Sequence, residues 1–284
     1  MSVVQNIPVA GPSLTERSHV IHHAATGARM VLVNGGAFRM GCETGSEAER
    51  PVHLVNLSPF WVDENPVTNA SFARFAEDTG YATEAEIAGE SWGSIGGEFK
   101  MISGLCWKSY YTQDRADHPV VLVTWNDAEA YAAWSGLRLL TEAEFEFCAR
   151  GGIDGADFPW GNSEPDGTQS PFARPPADLP PTSPVGIMGV NPLGIADLVG
   201  NVWQWCSDTF SDTYYRESPS ENPKGPNTGG LKVRRGGAWN VIQSFRLRCS
   251  NRGAARTSSA APNMGFRCAK NALPLKGGSC IIPA

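Results

Sequence analysis

No stretch of this chain is apolar over the roughly 20 residues a membrane-spanning helix needs, so no membrane partner is expected. Met1 to Pro12 has neither the charged start nor the apolar core of a secretory leader. The chain as it stands therefore reads as cytoplasmic, with a periplasmic or secreted protein as the alternative if a leader has been removed. There is no Cys-x-x-Cys pair, which argues against a structural zinc site. The strained nucleophile turn of hydrolases, the phosphate-binding glycine loop and the two-histidine metalloprotease helix are missing too. No Lys/Arg stripe occurs and the net charge is −6, so a nucleic-acid partner is not expected. Between Cys206 and Cys249 there is no cysteine at all.

What is plentiful is turn-forming and aromatic residues. The 31 glycines and 21 prolines are spread along the chain, which implies many turns and little regular structure. Nine tryptophans suit a loop-rich fold, since each buries a large area where helices and sheets are scarce. Seven cysteines cannot all pair within one monomer. Residues 1–28 read as a loosely docked N-terminal arm, and 29–284 as a single domain.

Met30 to Val33, the Gly35-Gly36 turn, and the renewed alternation at Phe38 and Met40 predict two strands; Val52–Leu57 predicts another. Thr68 can cap a helix that buries Phe72, Phe75 and Ala76 and stops at Gly80. Asn126 or Asp127 opens a second, with Ala130, Tyr131 and Trp134 inward and Gly136 as its end. Thr141-Glu142-Ala143-Glu144 is a capping box opening a third, which carries Phe145 and Cys148 and ends at Gly151-Gly152. Residues 154–189 read as an irregular surface excursion. The sum is one α+β domain. His19, His22 and His23 form the only histidine cluster. With no carboxylate or thiolate at ligand spacing, a solvated arm is the simpler reading than a metal site.

Three strings late in the chain carry more information: Asp197-Leu198-Val199-Gly200-Asn201-Val202-Trp203-Gln204-Trp205, Arg235-Gly236-Gly237-Ala238-Trp239-Asn240 and Asn263-Met264-Gly265-Phe266-Arg267-Cys268. Together with Gly35-Gly36-Ala37-Phe38, Asn65-Pro66-Val67-Thr68-Asn69, His118-Pro119-Val120 and Phe158-Pro159-Trp160-Gly161-Asn162, they resemble the formylglycine-generating enzyme, or sulfatase-modifying factor, family. The resemblance implies the C-type-lectin-like variant of the α+β class, poor in regular secondary structure.

It also implies a site. Members of that family hold copper(I) between two thiolates after the Arg-Gly-Gly, because soft ligands select that metal, and oxidise a substrate cysteine with dioxygen. Here those positions fall near Asn240 or Val241 and near Ser244, and neither supplies a thiolate. The two-cysteine copper mechanism is therefore not expected; any redox metal would use other ligands. Ala238 replaces a family serine at the same centre. Trp203, Asn240, Ser244, Arg252 and Asn263 match positions that line the substrate groove; Arg252 and Asn263 could instead tie down backbone groups.

By the same resemblance, Asp197, Gly200, Val202 and Gln204 would bind calcium through oxygen ligands, although Gln204 lacks the usual charge. The alternative is that Asp197 and Gln204 hydrogen-bond the loop. A second family calcium site is expected to be lost at Ser170-Pro171-Phe172-Ala173. Cys148 and Cys249 stand where members have a disulfide; here they are either bridged or two buried thiols. Cys268 has Ala132 where its family mate would be. The resemblance implies a divergent oxidase acting on a small molecule or peptide, as relatives in siderophore chromophore maturation do. The alternative is a non-catalytic binding module or inactive paralogue with a protein partner. Direct oxidation of sulfatase cysteines by another route is the third.

Overall fold

Backbone pairing along Arg29–Val33 sets the first sheet and reaches back into the expected arm. The computed structural model describes residues 20–272. Strand β1 (Val20–His22) pairs antiparallel with β2 (Arg29–Val33), Val20 opposite Val31 and His22 opposite Arg29. The arm boundary at 28 is thus corrected: the edge of β2 offers hydrogen-bonding groups that residues 20–22 satisfy. His19 lies outside the described residues. His23 bonds Thr26 through Nδ1.

Strands β3 (Gly36–Met40) and β4 (His53–Leu57) form a separate pair, and Phe38, Met40, Val55 and Leu57 face inward from it. The all-buried β5 (Phe60–Asp63) returns to β2. Thr68 caps α1 (Asn69–Thr79) as expected, its Oγ1 accepting from Ser71 N, and Gly80 closes it in the left-handed conformation. Next come a short α2 (Glu84–Ala88) and a hairpin, β6 (Glu90–Ile95) and β7 (Glu98–Ser103).

Helix α3 (Trp125–Ser135) starts earlier than Asn126 or Asp127, because Thr124 is its cap. Thr124 Oγ1 accepts from Asp127 N at 3.1 Å, while Asp127 Oδ2 accepts from Thr124 N at 2.8 Å. Strand β8 (Arg138–Leu139) leads to α4 (Glu142–Arg150), opened by the Thr141–Glu144 box and ended at Gly151. Residues 151–202 contain no helix or strand, in line with the Pro/Gly-rich reading. The last strands are β9 (Trp203–Thr209), β10 (Leu231–Arg235), β11 (Arg252–Arg256), β12 (Met264–Phe266) and β13 (Cys268–Asn271).

Two main sheets result, ordered β1-β2-β5-β13-β8 and β11-β10-β9-β12. The fold is mixed α+β and loop-rich. Phe72, Trp107, Tyr131 and Phe266 form an aromatic centre on the α1/α3 side, with ring centroids 5.2–6.4 Å apart. Helix α4 packs on β3, β9 and β10 and seals a second apolar cluster. Among the described residues, no helix is long and apolar enough to cross a membrane.

Two of the buried carboxyls are lifted to near neutrality. Burial lifts Asp63 to about 7 against the Cys268 amide and the Arg267 charge. Burial, reinforced by Glu142, lifts Asp208 to about 7 against the Glu142 amide and Ser207. A raised folded value means the native chain holds protons that the unfolded chain has released, so stability falls as pH climbs from about 4 to about 7. Thermal melts at constant ionic strength should therefore show a decline of several degrees from pH 5 to pH 8, at about 2–4 °C per kcal/mol. The decline should be shallower in Asp208→Asn, and equal slopes would contradict the assignment.

Candidate substrate groove and the loop beside it

The hairpin after β10 is shaped by Gly236 and Gly237, both at positive φ. A Cβ on Gly236 would lie 2.6 Å from Leu198 O, and one on Gly237 2.9 Å from Arg246 O. No other residue fits that approach. The backbone then laces to its neighbours: Gly200 N donates to Gly236 O, Trp239 N to Asn201 O, Arg174 N to Trp239 O and Ala173 N to Val241 O.

These bonds hold Trp239 fully buried, with Nε1 donating to Pro262 O at 3.1 Å. Asn240 therefore emerges beside Asn263, whose Nδ2 donates to Asn240 Oδ1 at 3.0 Å. Asn263 O in turn accepts from Trp203 N at 2.8 Å. Three of the expected groove residues, Trp203, Asn240 and Asn263, are thus joined in one run of hydrogen bonds, Trp203 through its backbone, and Ala238 is fully buried. Ser244 begins the short turn Ser244–Leu247 further along the same hairpin and is half-buried.

Arg252 does not join them. Its guanidinium forms a two-pronged pair with Glu142, 2.7 Å on each arm, donates to Ala48 O and Ser211 O, and stacks on Tyr215 at 4.1 Å. All three nitrogens are engaged, so the groove role is corrected to a structural one: β11 aims this side chain at α4 rather than at the hairpin.

Cys148 and Cys249 are free thiols, as are Cys42, Cys106, Cys206 and Cys268. Of the two readings, the pair of buried thiols is the one this structure has. Both side chains sit in the α4 core cluster, and burial pushes both thiols up, Cys249 to about 12. Such groups stay protonated and inert. Cys268 and Ala132 share the other cluster, and Cys280 lies outside the described residues.

The Asp197–Gln204 loop departs further from expectation. Gln204 is fully buried, its Oε1 accepting from Arg267 Nε at 2.6 Å and its Nε2 donating to Asp197 O at 2.7 Å. Arg267 Nη2 also donates to Ala196 O and Asp197 O. A buried guanidinium therefore occupies the Gln204 oxygen that a cation would need. The Asp197 carboxylate already accepts from Gly186 N at 2.8 Å, and burial raises its pKa against that amide and the Arg267 charge. What remains of the expected ligands is the carbonyls of Gly200 and Val202 and the other lone pairs of the Asp197 carboxylate. The side chains as arranged do not fit calcium, and the hydrogen-bonding alternative describes them. Among the described residues, no cluster of three or more His, Cys, Asp or Glu side chains is placed to hold a metal. Ser170 donates to Val199 O at 2.6 Å and so belongs to the same loop packing.

Two features escaped the sequence reading. A buried ionic network joins α4 to the second sheet: Arg235 pairs with Glu146, Arg150 pairs with Glu146 at 2.7 Å, and Arg252 pairs with Glu142. Burial alone would raise Glu146, but Arg150, Arg235 and the Gly41 amide hold it below the usual range. The second is Arg234, whose guanidinium stacks over Trp203 at 4.6 Å. Strand alternation could have found both, since adjacent arginines in one strand must face opposite sides. A cavity of about 290 Å³ borders the loop at Asp197, Leu198 and Trp160, but it includes none of Trp203, Asn240 and Asn263.

Comparison with known proteins adds to this geometry. Residues 17–272 match the sulfatase-modifying factor enzyme 1-like domain. The chain is 40% identical to the formylglycine-generating enzyme of Streptomyces coelicolor, over 85% of this chain and 89% of that one. It is 35% identical to the inactive C-alpha-formylglycine-generating enzyme 2 of Bos taurus, over 86% and 88%. The structure of PvdO from Pseudomonas aeruginosa superposes with a TM-score of 0.74 at 26% identity, covering 90% of this chain and 99% of that one.

Proposed function

Because the chain belongs to the sulfatase-modifying factor family, we propose that it takes a small molecule or peptide into the groove at Trp203, Asn240 and Asn263 and acts on it by a route other than the paired-thiolate copper mechanism. The reaction class is an oxidation or related maturation step. One observation supports the reading: Asn263 bonds Asn240 beside the Arg-Gly-Gly hairpin, while no cysteine lies between Cys206 and Cys249. An asparagine pair supplies both donors and acceptors, suited to a carbonyl or amide of the ligand. It supplies no soft ligand for copper(I). The described thiols elsewhere do not replace the pair, since four are locked in apolar cores and Cys42 and Cys106 lie on other segments.

The test uses a peptide containing Cys-x-Pro-x-Arg, incubated with the protein, copper and dioxygen, and read by mass spectrometry. The expected result is unchanged thiol. Aldehyde formation would overturn the reading. Oxygen uptake and elemental analysis of the purified protein then separate an oxidase from a binder. A second reading, a non-catalytic module or partner of an active enzyme, is favoured by the lack of any histidine, carboxylate or thiol among Trp203, Asn240 and Asn263. Recovery of an active generating enzyme in a pull-down would support it.

A further inference from the structure

Arg234 is an unusual cation for its surroundings. Most buried arginines here answer a carboxylate: Arg235 and Arg150 answer Glu146, and Arg252 answers Glu142. Among the described residues, no carboxylate pairs with Arg234, and its buried Nε has no hydrogen-bond partner. Its one bond runs from Nη1 to the Met264 sulfur at 3.4 Å, and a thioether is a weak acceptor. The Trp203 ring lies under this guanidinium while Trp203 N donates to Asn263 O, so Trp203 is the neighbour that Arg234 and the asparagine pair share.

The platform beneath it is built. Trp203 lies under the guanidinium at 4.6 Å, a cation–π arrangement. Gly253 makes room for both side chains: a Cβ there would stand 3.0 Å from Arg234 Cγ, 3.1 Å from Nε and 3.2 Å from the Trp203 ring. Arg246, from the turn after the hairpin, brings a second positive charge close enough, together with the larger effect of burial, to depress the Arg234 pKa. A half-buried cation with an unpartnered Nε and a like-charged neighbour is costly until an anion arrives.

We propose that Arg234, assisted by Arg246, is a subsite for a carboxylate group of the ligand held at Asn240 and Asn263. This rests on reading that groove as a ligand site. The planar guanidinium offers two adjacent donors to the two oxygens of a carboxylate, and the aromatic platform fixes its plane. The preferred ligand is then an acidic small molecule or a peptide with a free C-terminus or acidic side chain.

The experiment is an NMR titration of the full chain labelled with ¹⁵N-arginine, followed at the Nε–H signals. The probes are sodium acetate, sodium chloride at matched ionic strength, and acetamide. One signal, identified by its absence in Arg234→Met, should move saturably with acetate and not with acetamide or chloride. Arg246→Ala should weaken acetate binding about three- to tenfold, and Arg248→Ala, on the same turn, should leave it unchanged. Absence of saturable movement overturns the subsite. So does an equal response to chloride, or an equal loss in Arg248→Ala. If Arg234→Met does not fold, the Arg246 and Arg248 variants decide the matter. Acetate binding without any turnover would count against the oxidase and keep the subsite; turnover without acetate binding would do the reverse.

Discussion

Replacing Arg235 by methionine is expected to cost about 3–5 kcal/mol of stability, the range seen when one partner of a buried ion pair is removed. The side chain is fully buried. Nη1 donates to Ser250 O at 2.7 Å and Asn251 O at 2.6 Å, and Nη2 donates to Cys249 O at 2.9 Å and to Glu146. Methionine fills much of the volume but leaves three carbonyls unanswered and Glu146 dependent on Arg150 and the Gly41 amide. Equilibrium unfolding in urea measures the loss. Glu146→Gln alone should also destabilise, and the double variant should lose clearly less than the sum, because both changes break one network. Additive losses would show that Arg235 acts through its carbonyl contacts alone.

The second large effect is expected at Trp239. Trp239→Ala should cost about 3–5 kcal/mol, as large aromatic deletions in cores do, and should abolish ligand binding in the groove as well. The ring has no exposed surface although it sits beside the hairpin, because Phe99 of β7 stacks over it with centroids 6.2 Å apart. Its Nε1 bond to Pro262 O ties the hairpin to the segment that presents Asn263. Loss of the ring therefore removes both packing and the alignment of the asparagine pair. Trp239→Phe separates the two: it should recover much of the stability while still lacking the Pro262 bond. Chemical denaturation and groove binding, measured on both variants, provide the check. Equal stability of Trp239→Ala and wild type would refute the packing argument.

Much of this architecture was legible in the residues. Thr68, Thr141 and the glycines at 80, 136 and 151 mark helix ends through local backbone chemistry, and the structure places caps there. The start of α3 was misplaced because Asn126 and Asp127 also look like caps. Only the reciprocal bonds of Thr124 and Asp127 decide it. The proximity of Trp203, Asn240 and Asn263 was legible, because one strand end and one hairpin set their positions. The place of Arg252 was not legible, because family position says nothing about whether Glu142 waits on the helix opposite. Gln204 failed for the same reason: Arg267, 63 residues later, takes its oxygen. Contacts between distant segments decide such cases, and local pattern does not encode them. The β6–β7 hairpin carries little alternation, with Trp92 and Met101 paired on an open face, so no periodic signal announced it.

The neighbouring arginines of β10 have an evolutionary corollary. Side chains in a strand change face at every step, so a single inserted or deleted residue within Leu231–Arg235 would exchange their destinations. The cation seated against α4 would swing out over the face of Trp203, and Arg234 would be driven into the protein interior. Lineages descending from this chain should therefore vary freely in the length of the preceding loop but keep the spacing from Leu231 to Gly237 fixed.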